Sequence, residues 1–388
     1  MTTPLRPSFG TGTDQRIAGG ELIIDIDALK ANYRALARLS APAVAAGVVK
    51  ANAYGLGLDV IVPALLSEGC QRFFVAMPDE GIAVRSYAPD AAIFVLSGLY
   101  RREVADLYAQ HRLTPVLNSP RDVSIWEAHC GAIGHRAPCA VHVDTGMNRL
   151  GMTVAEALSL AEENSLTQAL DIALVMSHLA CADQADHPLN AQQLQSFQQV
   201  RAAFPGVESS LANSAAVLFG KDFHHEMTRP GIALYAGLPV DTSDQGVHAP
   251  VVTVTARVVQ LRTASAGVGV GYGATPLARD SRLAVAAIGY ADGYPRALSS
   301  ADVHLRGVRA AGGFGFLHGR RVPVIGRVTM DLTIFDVTDV GADVQPNDQI
   351  ELIGPNISIH DVAAAAGTIP YEILTSLGSR FHRRIVGA

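Results

Sequence analysis

Residues 43–55 read AVAAGVVKANAYG, and this stretch decides the fold. Positions 44–49 form a short apolar run without polar alternation, and the run stops at Lys50. A strand that is apolar on both faces belongs to a parallel sheet covered by helices. The same signature recurs at 73–76, 93–96, 114–117, 140–143 and 172–176, with helical periodicity between, as at 154–163 and 190–204. Upstream, 21–26 reads as a strand and Asp27 as a helix N-cap, followed by Leu29, Tyr33, Leu36 and Leu39 at helical spacing. About eight such strand–helix units predict an α/β chain whose N-terminal part is a (β/α)8 barrel. A doubly wound open sheet has the same periodicity and competes with it.

The pattern changes at 241–250, a polar stretch with Gly and Pro that reads as a linker. Beyond it, Val252, Val254, Ala256 and Val258 alternate with Thr253, Thr255 and Arg257, the pattern of a strand with one buried face. Further strands are predicted at 283–288, 321–325, 332–337 and 349–353, and short helices at 360–366 and 371–379. The expected organisation is an arm over 1–20 packing with the C-terminal domain, a barrel over 21–245 and a mostly-β domain over 250–388.

The 388 residues are 49% hydrophobic and 17% charged, enough apolar material for a large core and too much for a disordered chain. The net charge of −6 suits a small-molecule substrate and gives no sign of a basic nucleic-acid surface. Cys70, Cys130, Cys139 and Cys181 match no zinc spacing and are expected to be reduced and inert. No apolar run is long enough for a signal peptide or a membrane span, so the expected location is the cytoplasm, with no membrane partner.

Several residues can carry chemistry. Lys50 at the C-terminal end of an inner barrel strand sits where barrel active sites form, and desolvation there makes its amine a usable nucleophile or base. The alternative is a strand-end lysine that keeps its charge in water. Residues 141–151, VHVDTGMNRLG, run from a strand into a loop whose Arg149 can hold a carboxylate or lie solvated. NSAA at 213–216 and RPGI at 229–232 fall where strands seven and eight should end, and Ser214 and Gly231 suit a phosphate there. GVGVGYG at 267–273 lacks the strand–loop–helix setting of a dinucleotide loop, which leaves Tyr272 as a loop tyrosine. His178, Cys181 and Asp183 have no second ligand pair for a metal, so none is expected, and His178 reads as a hydrogen-bonding residue at a strand end. His224, His225 and His382 read as surface residues.

Taken together, the segments resemble the alanine racemases, a family of pyridoxal-phosphate enzymes with a barrel and a C-terminal β domain. The motifs appear in the family's order: VVKANAYG at 48–55, DTGMNRLG at 144–151, NSAA at 213–216, RPGIALY at 229–235, GYG at 271–273, GYADGYPR at 289–296, GRVTMD at 326–331 and PYEILT at 370–375. The resemblance implies a homodimeric isomerase that interconverts L- and D-alanine with pyridoxal 5'-phosphate and supplies D-alanine for peptidoglycan.

It also implies roles. Lys50 resembles the lysine that forms the Schiff base and acts as one of two bases, and Tyr272, from the partner chain, resembles the other. Arg229 resembles the arginine facing the pyridine nitrogen, and His178 the histidine bonded to that arginine. Tyr54, Ser214, Gly231, Ile232 and Tyr371 resemble the phosphate cradle. Arg149 resembles the arginine near the substrate carboxylate. Tyr290 and Met330 resemble residues that close the substrate pocket from the partner chain, and Asp331 belongs to the same motif. Two bases on opposite faces of a planar carbon suit an inversion.

Four positions depart from the family pattern. His142 stands where a carbamylated lysine is common, and its neutral ring can hydrogen-bond Arg149 without supplying negative charge. Leu56, Thr329 and Ser210 replace a histidine, a cysteine and a histidine. The rival readings are a racemase of broader amino-acid range, including serine; a fold-related decarboxylase, which would pair the pyridine nitrogen with a carboxylate where this chain offers Arg229; and a non-enzymatic cofactor-binding barrel, which would lack the β domain.

Overall fold

The structure, a computed structural model, describes residues 12–163, 169–235, 249–301, 304–305, 308–309 and 312–387. Most of the expected linker at 241–250 and the first half of the arm lie outside the described residues. The described residues fall into two compact units, 29–249 and 12–28 together with 250–387.

The first unit is the barrel. Its parallel strands run in order through Gly47–Val48, Arg72–Val75, Ala92–Val95, Thr114–Leu117, Pro138–Asp144, Asp171–Met176 and Glu208–Ser210. Closure comes from Met227–Thr228, which pairs in parallel with Val44–Ala45, and from a bridge between Asn213 and Arg229. These contacts join the eighth strand to both the first and the seventh, so the open-sheet alternative is excluded. The runs are apolar on both faces because helices cover the outside while neighbouring strands fill the middle: Phe73, Phe74, Val75, Ile93 and Val95 are fully buried. Phe74 and Phe94 on adjacent strands stack with ring centroids 4.7 Å apart.

Helix Ile26–Ser40 is tied to the closing seam. Tyr33 Oη donates to Ala45 O at 3.0 Å, Asn32 Nδ2 donates to Leu234 O at 3.1 Å, and the Ser40 and Thr228 hydroxyls meet at 2.7 Å. Its cap is Asp25, whose Oδ1 accepts from Ala28 N at 2.9 Å, and not Asp27 as expected. The helix begins at Ile26, which leaves Asp27 inside the first turn, where its charge still favours the helix N-terminus.

The second unit is built on the 13-residue strand Val252–Ala264. Val252, Val254, Ala256 and Val258 are buried and Thr253, Thr255 and Arg257 between them half-buried, as the alternation predicts. Its early half pairs with Gly20–Asp25 and Gln349–Ile353, and its late half with Ser281–Ala286. Gly20–Asp25, expected to open the barrel, therefore belongs to this sheet, where it also pairs in parallel with His382–Val386. The reason lies in its partners: both backbone edges of the strand that carries the buried Leu22 and Ile24 are paired by strands from the far end of the chain. The arm continues this pairing, with Thr13 N donating to Phe381 O at 3.0 Å.

Candidate active site

The barrel brings Lys50, His142, His178, Ser210, Ser214 and Arg229 to the C-terminal ends of its strands, the end where such barrels place chemistry. Lys50 follows the first strand after Val49 and starts an unusual turn. Ala51, Asn52, Ala53 and Tyr54 all have φ between 53° and 56°, a run of left-handed residues. Each costs on the order of 1–2 kcal/mol. Bonds from Ala53 N to Val49 O and from Gly55 N to Ala51 O, both 2.8 Å, close the turn. The half-buried Lys50 amine is held below its ordinary pKa by burial, then by the Arg149 guanidinium, while Glu80 opposes both.

Arg229 is only 4% exposed, and burial pushes its pKa down to about 9. Among the described residues no carboxylate bonds it. Its Nη1 donates to Ser210 Oγ, and its Nη2 donates to Ser177 O at 2.5 Å and stands 3.4 Å from His178 Nδ1. The Phe74 ring lies 5.9 Å from the guanidinium carbon. Neutral acceptors thus hold a buried cation that keeps its full charge for whatever faces it. The His178 pKa falls well below the ordinary histidine value, through burial and then the Arg229 charge, so the ring beside Arg229 is neutral.

His142 does not bond Arg149, contrary to expectation. Its Nδ1 meets Asn118 Oδ1 at 2.7 Å. Asn118 Nδ2 donates to Leu96 O at 2.9 Å and Val116 O at 3.1 Å, which fixes the amide so that its oxygen faces the ring. The ring therefore carries its proton on Nδ1. Burial, then Arg229, lower the His142 pKa to about 4. Arg149 is exposed on the loop after Pro138–Asp144, which Asp144 Oδ1 shapes by accepting from Gly146 N and Met147 N, each at 2.8 Å.

Ser214, Gly231, Ile232 and Tyr54 form a separate cradle. Ser214 Oγ accepts from Gly231 N at 2.8 Å and Ala233 N at 3.2 Å, and among the described residues its own proton has no acceptor. Ile232 opens the short helix Ile232–Tyr235. A Cβ at residue 231 would lie 2.3 Å from Tyr54 Oη, so only glycine lets the phenol approach this backbone. With the Gly231 and Ala233 N–H groups already bonded to it, the Ser214 hydroxyl keeps its own proton to donate, which suits an acceptor such as an anion at this strand end.

Tyr272, Tyr290, Met330 and Tyr371 lie on the other unit. The first three line one cavity of about 830 Å³ together with Arg327 and Asp331. Tyr272 is 72% exposed, flanked by Gly271 and Gly273 at φ of 62° and 84°. Arg380 clamps this region: it pairs with Asp292 through two bonds of 2.6 and 2.7 Å and with Asp331 at 2.8 Å, joining the loops that carry Tyr290 and Met330. Tyr371 sits in the first turn of helix Pro370–Ser376 and does not line that cavity.

Sequence reasoning missed Asn118, Ser177, Glu80 and Arg380, because none belongs to a motif that carries chemistry by residue type. His224, expected at the surface, is buried, and its Nε2 meets Val217 O at 2.8 Å. Ser210, noted as a departure, is fully buried and holds Arg229. No described helix is long and apolar enough to cross a membrane.

The family model described as the alanine racemase N-terminal domain matches residues 24–239, and the one for the C-terminal domain matches 251–385. The chain is 49% identical to an alanine racemase of Rhizobium meliloti over 372 residues, 95% of this chain and 97% of that one. It is 48% identical over 369 residues to a biosynthetic alanine racemase of Agrobacterium fabrum, 95% of this chain and 94% of that one. The crystal structure of alanine racemase from Bartonella henselae with covalently bound pyridoxal phosphate matches it with a TM-score of 0.88 at 38% identity, over 95% of this chain and all of that chain. Both halves of the chain, in order and nearly complete, carry the marks of one group: the chain belongs to the alanine racemase family.

Proposed function

We propose that the protein is a pyridoxal 5'-phosphate-dependent isomerase that interconverts L- and D-alanine, with active sites completed across a homodimer. The observation that carries this reading is the buried Arg229, held by neutral acceptors alone, on the same barrel rim as the Lys50 amine and the Ser214–Gly231 cradle.

The residues present fit the cofactor. Tyr54 and Ser214 hydroxyls with the backbone at Gly231 and Ile232 would hold its phosphate, Lys50 would provide the amine, and Arg229 would stand at its ring nitrogen. When bound, pyridoxal phosphate supplies an electron-withdrawing ring that acidifies the α-carbon of an attached amino acid. Arg229 would keep a positive charge at the ring nitrogen and so disfavour a proton there; Ser210, Ser177 and His178 keep Arg229 in place. Arg149 binds the substrate carboxylate. Lys50 Nζ moves a proton on one face of the α-carbon, helped by burial, which favours its neutral form. Tyr272 of the partner subunit moves the proton on the opposite face, and Tyr290 and Met330 of that subunit narrow the pocket. These three roles and that of Tyr371 at the phosphate are proposed on the family motifs. The four cysteines are free thiols, which suits the cytoplasm as the compartment; D-alanine supply for peptidoglycan is proposed as the task on the family motifs alone.

Purified protein loaded with cofactor should be offered L-alanine, L-serine and L-lysine, and D-products separated by chiral chromatography. D-alanine should form fastest. Faster serine inversion would favour the broad-range reading, and no inversion at all would refute the proposal.

A further inference from the structure

Lys50 opens a left-handed turn that a single carboxylate braces from outside. Glu80 Oε1 accepts from Ala51 N at 2.5 Å. Its Oε2 accepts from Ala76 N at 2.8 Å and from Met77 N at 3.1 Å. One side chain thus links the turn after the first barrel strand to the segment after the second. We infer that Glu80 is a positioning residue for Lys50: it aims the amine by bonding the first N–H of the left-handed turn, and it sets a carboxylate against the peptide that follows Lys50.

Four consecutive residues with φ near 53–56° persist only where their surroundings over-determine them. The bonds inside the turn engage Ala53 N and Gly55 N, and Asn52 Oδ1 accepts from Leu58 N at 3.0 Å beyond it. The N–H next to Lys50 is bonded by Glu80 instead. Because Ala76 and Met77 anchor the other carboxylate oxygen, Glu80 is itself fixed in place. Electrostatically, burial and Arg149 favour the neutral amine, His178 feels the Lys50 charge but is itself neutral, and Glu80 is the group that favours the ammonium. A carboxylate in this place opposes the burial and the Arg149 charge that favour the neutral amine.

The inference rests on Lys50 being the reactive amine, and the test separates the two claims. Full-length wild type, Glu80→Gln and Glu80→Asp are compared. In cofactor-stripped protein, an amine reagent labels Lys50 at a series of pH values, and mass spectrometry of the Lys50 peptide gives the midpoint. In loaded protein, kcat and KM are measured, and borohydride fixes the cofactor to the chain. Glu80→Gln keeps the size and loses the charge, so its Lys50 midpoint should fall by about half a pH unit to one unit. Glu80→Asp keeps the charge but falls short of Ala51 N, so its midpoint should stay near wild type while kcat drops roughly tenfold with little change in KM. A purely structural residue would lower the melting temperature without moving the midpoint in Glu80→Gln. That result overturns the inference, as does an unchanged kcat in Glu80→Asp, which also decides the matter if the Gln variant does not fold. Cofactor fixed elsewhere than Lys50 in the wild type would instead overturn the assignment of Lys50, and the inference with it.

Discussion

Gly231→Ala tests the anion cradle with one methyl group. The glycine has an ordinary negative-side backbone, so the substitution brings no conformational strain of the left-handed kind. What it brings is a clash: the new Cβ would lie 2.3 Å from Tyr54 Oη and 3.3 Å from Val48 Cβ, whereas ordinary contact begins near 3.4 Å. Val48 can yield by a tenth of an ångström, but the phenol must retreat by about 1 Å. Overpacking of this kind costs about 1–3 kcal/mol of stability. A phenol displaced by that distance would lose the hydrogen bond to the phosphate that the proposed cradle gives it, about 1.5–3 kcal/mol for a charged acceptor. Cofactor affinity should therefore fall roughly ten- to 150-fold. Titration of the stripped protein with pyridoxal phosphate, followed by absorbance, gives the affinity, and urea unfolding gives the stability. A double-mutant cycle isolates the cause. With Tyr54→Phe the nearest ring atom is Cζ, 3.3 Å away, and Gly231→Ala should then cost little. An equal cost in both backgrounds, or an affinity within about threefold of wild type, would refute the cradle as drawn.

Arg229→Glu should slow racemisation and raise the share of turnovers that end in transamination, because a carboxylate favours a proton on the ring nitrogen. An unchanged ratio of the two reactions would mean that Arg229 does not face that nitrogen. His142 binds protons more weakly in the folded chain, with a pKa of about 4 against an ordinary 6.5. The stability owed to its neutral burial is full above about pH 6.5, falls as pH drops, and is lost below about 4. Urea unfolding at pH 7.5 and pH 4.5 should show the wild type losing about 2.5 kcal/mol more than His142→Gln over that interval, and equal losses would contradict the assigned protonation.

The barrel was legible because its strands are apolar on both faces, and 114–117 was located to the residue. The last two strands were not legible as strands. Glu208–Ser210 is polar and Met227–Thr228 has two residues, and both were marked only by the motifs that follow them. Gly20–Asp25 and His382–Val386 show why local pattern fails at the chain ends: each is a strand because the other, and Val252–Ala264, lie beside it. Phe314–Leu317 escaped because a glycine interrupts it. At the site, Lys50, Ser214 and Gly231 stand at strand ends and were visible by residue type. Asn118 and Glu80 act through hydrogen bonds made 24 and 29 residues away in sequence, to His142 and Ala51. Spacing along the chain holds no trace of such a contact. The same holds for His142, whose bond to Asn118 rather than Arg149 depends on the neighbouring strand.

Subunit complementation tests the shared two-base site most directly. Lys50→Ala and Tyr272→Phe should each be nearly inactive in converting L- to D-alanine. After mixing under conditions that exchange subunits, each hybrid dimer holds one site with both defects and one site with neither. Random reassortment of equal amounts makes about half the dimers hybrid, so roughly a quarter of wild-type activity should return. No recovery, with exchange demonstrated independently, would contradict a site built from Lys50 of one subunit and Tyr272 of the other.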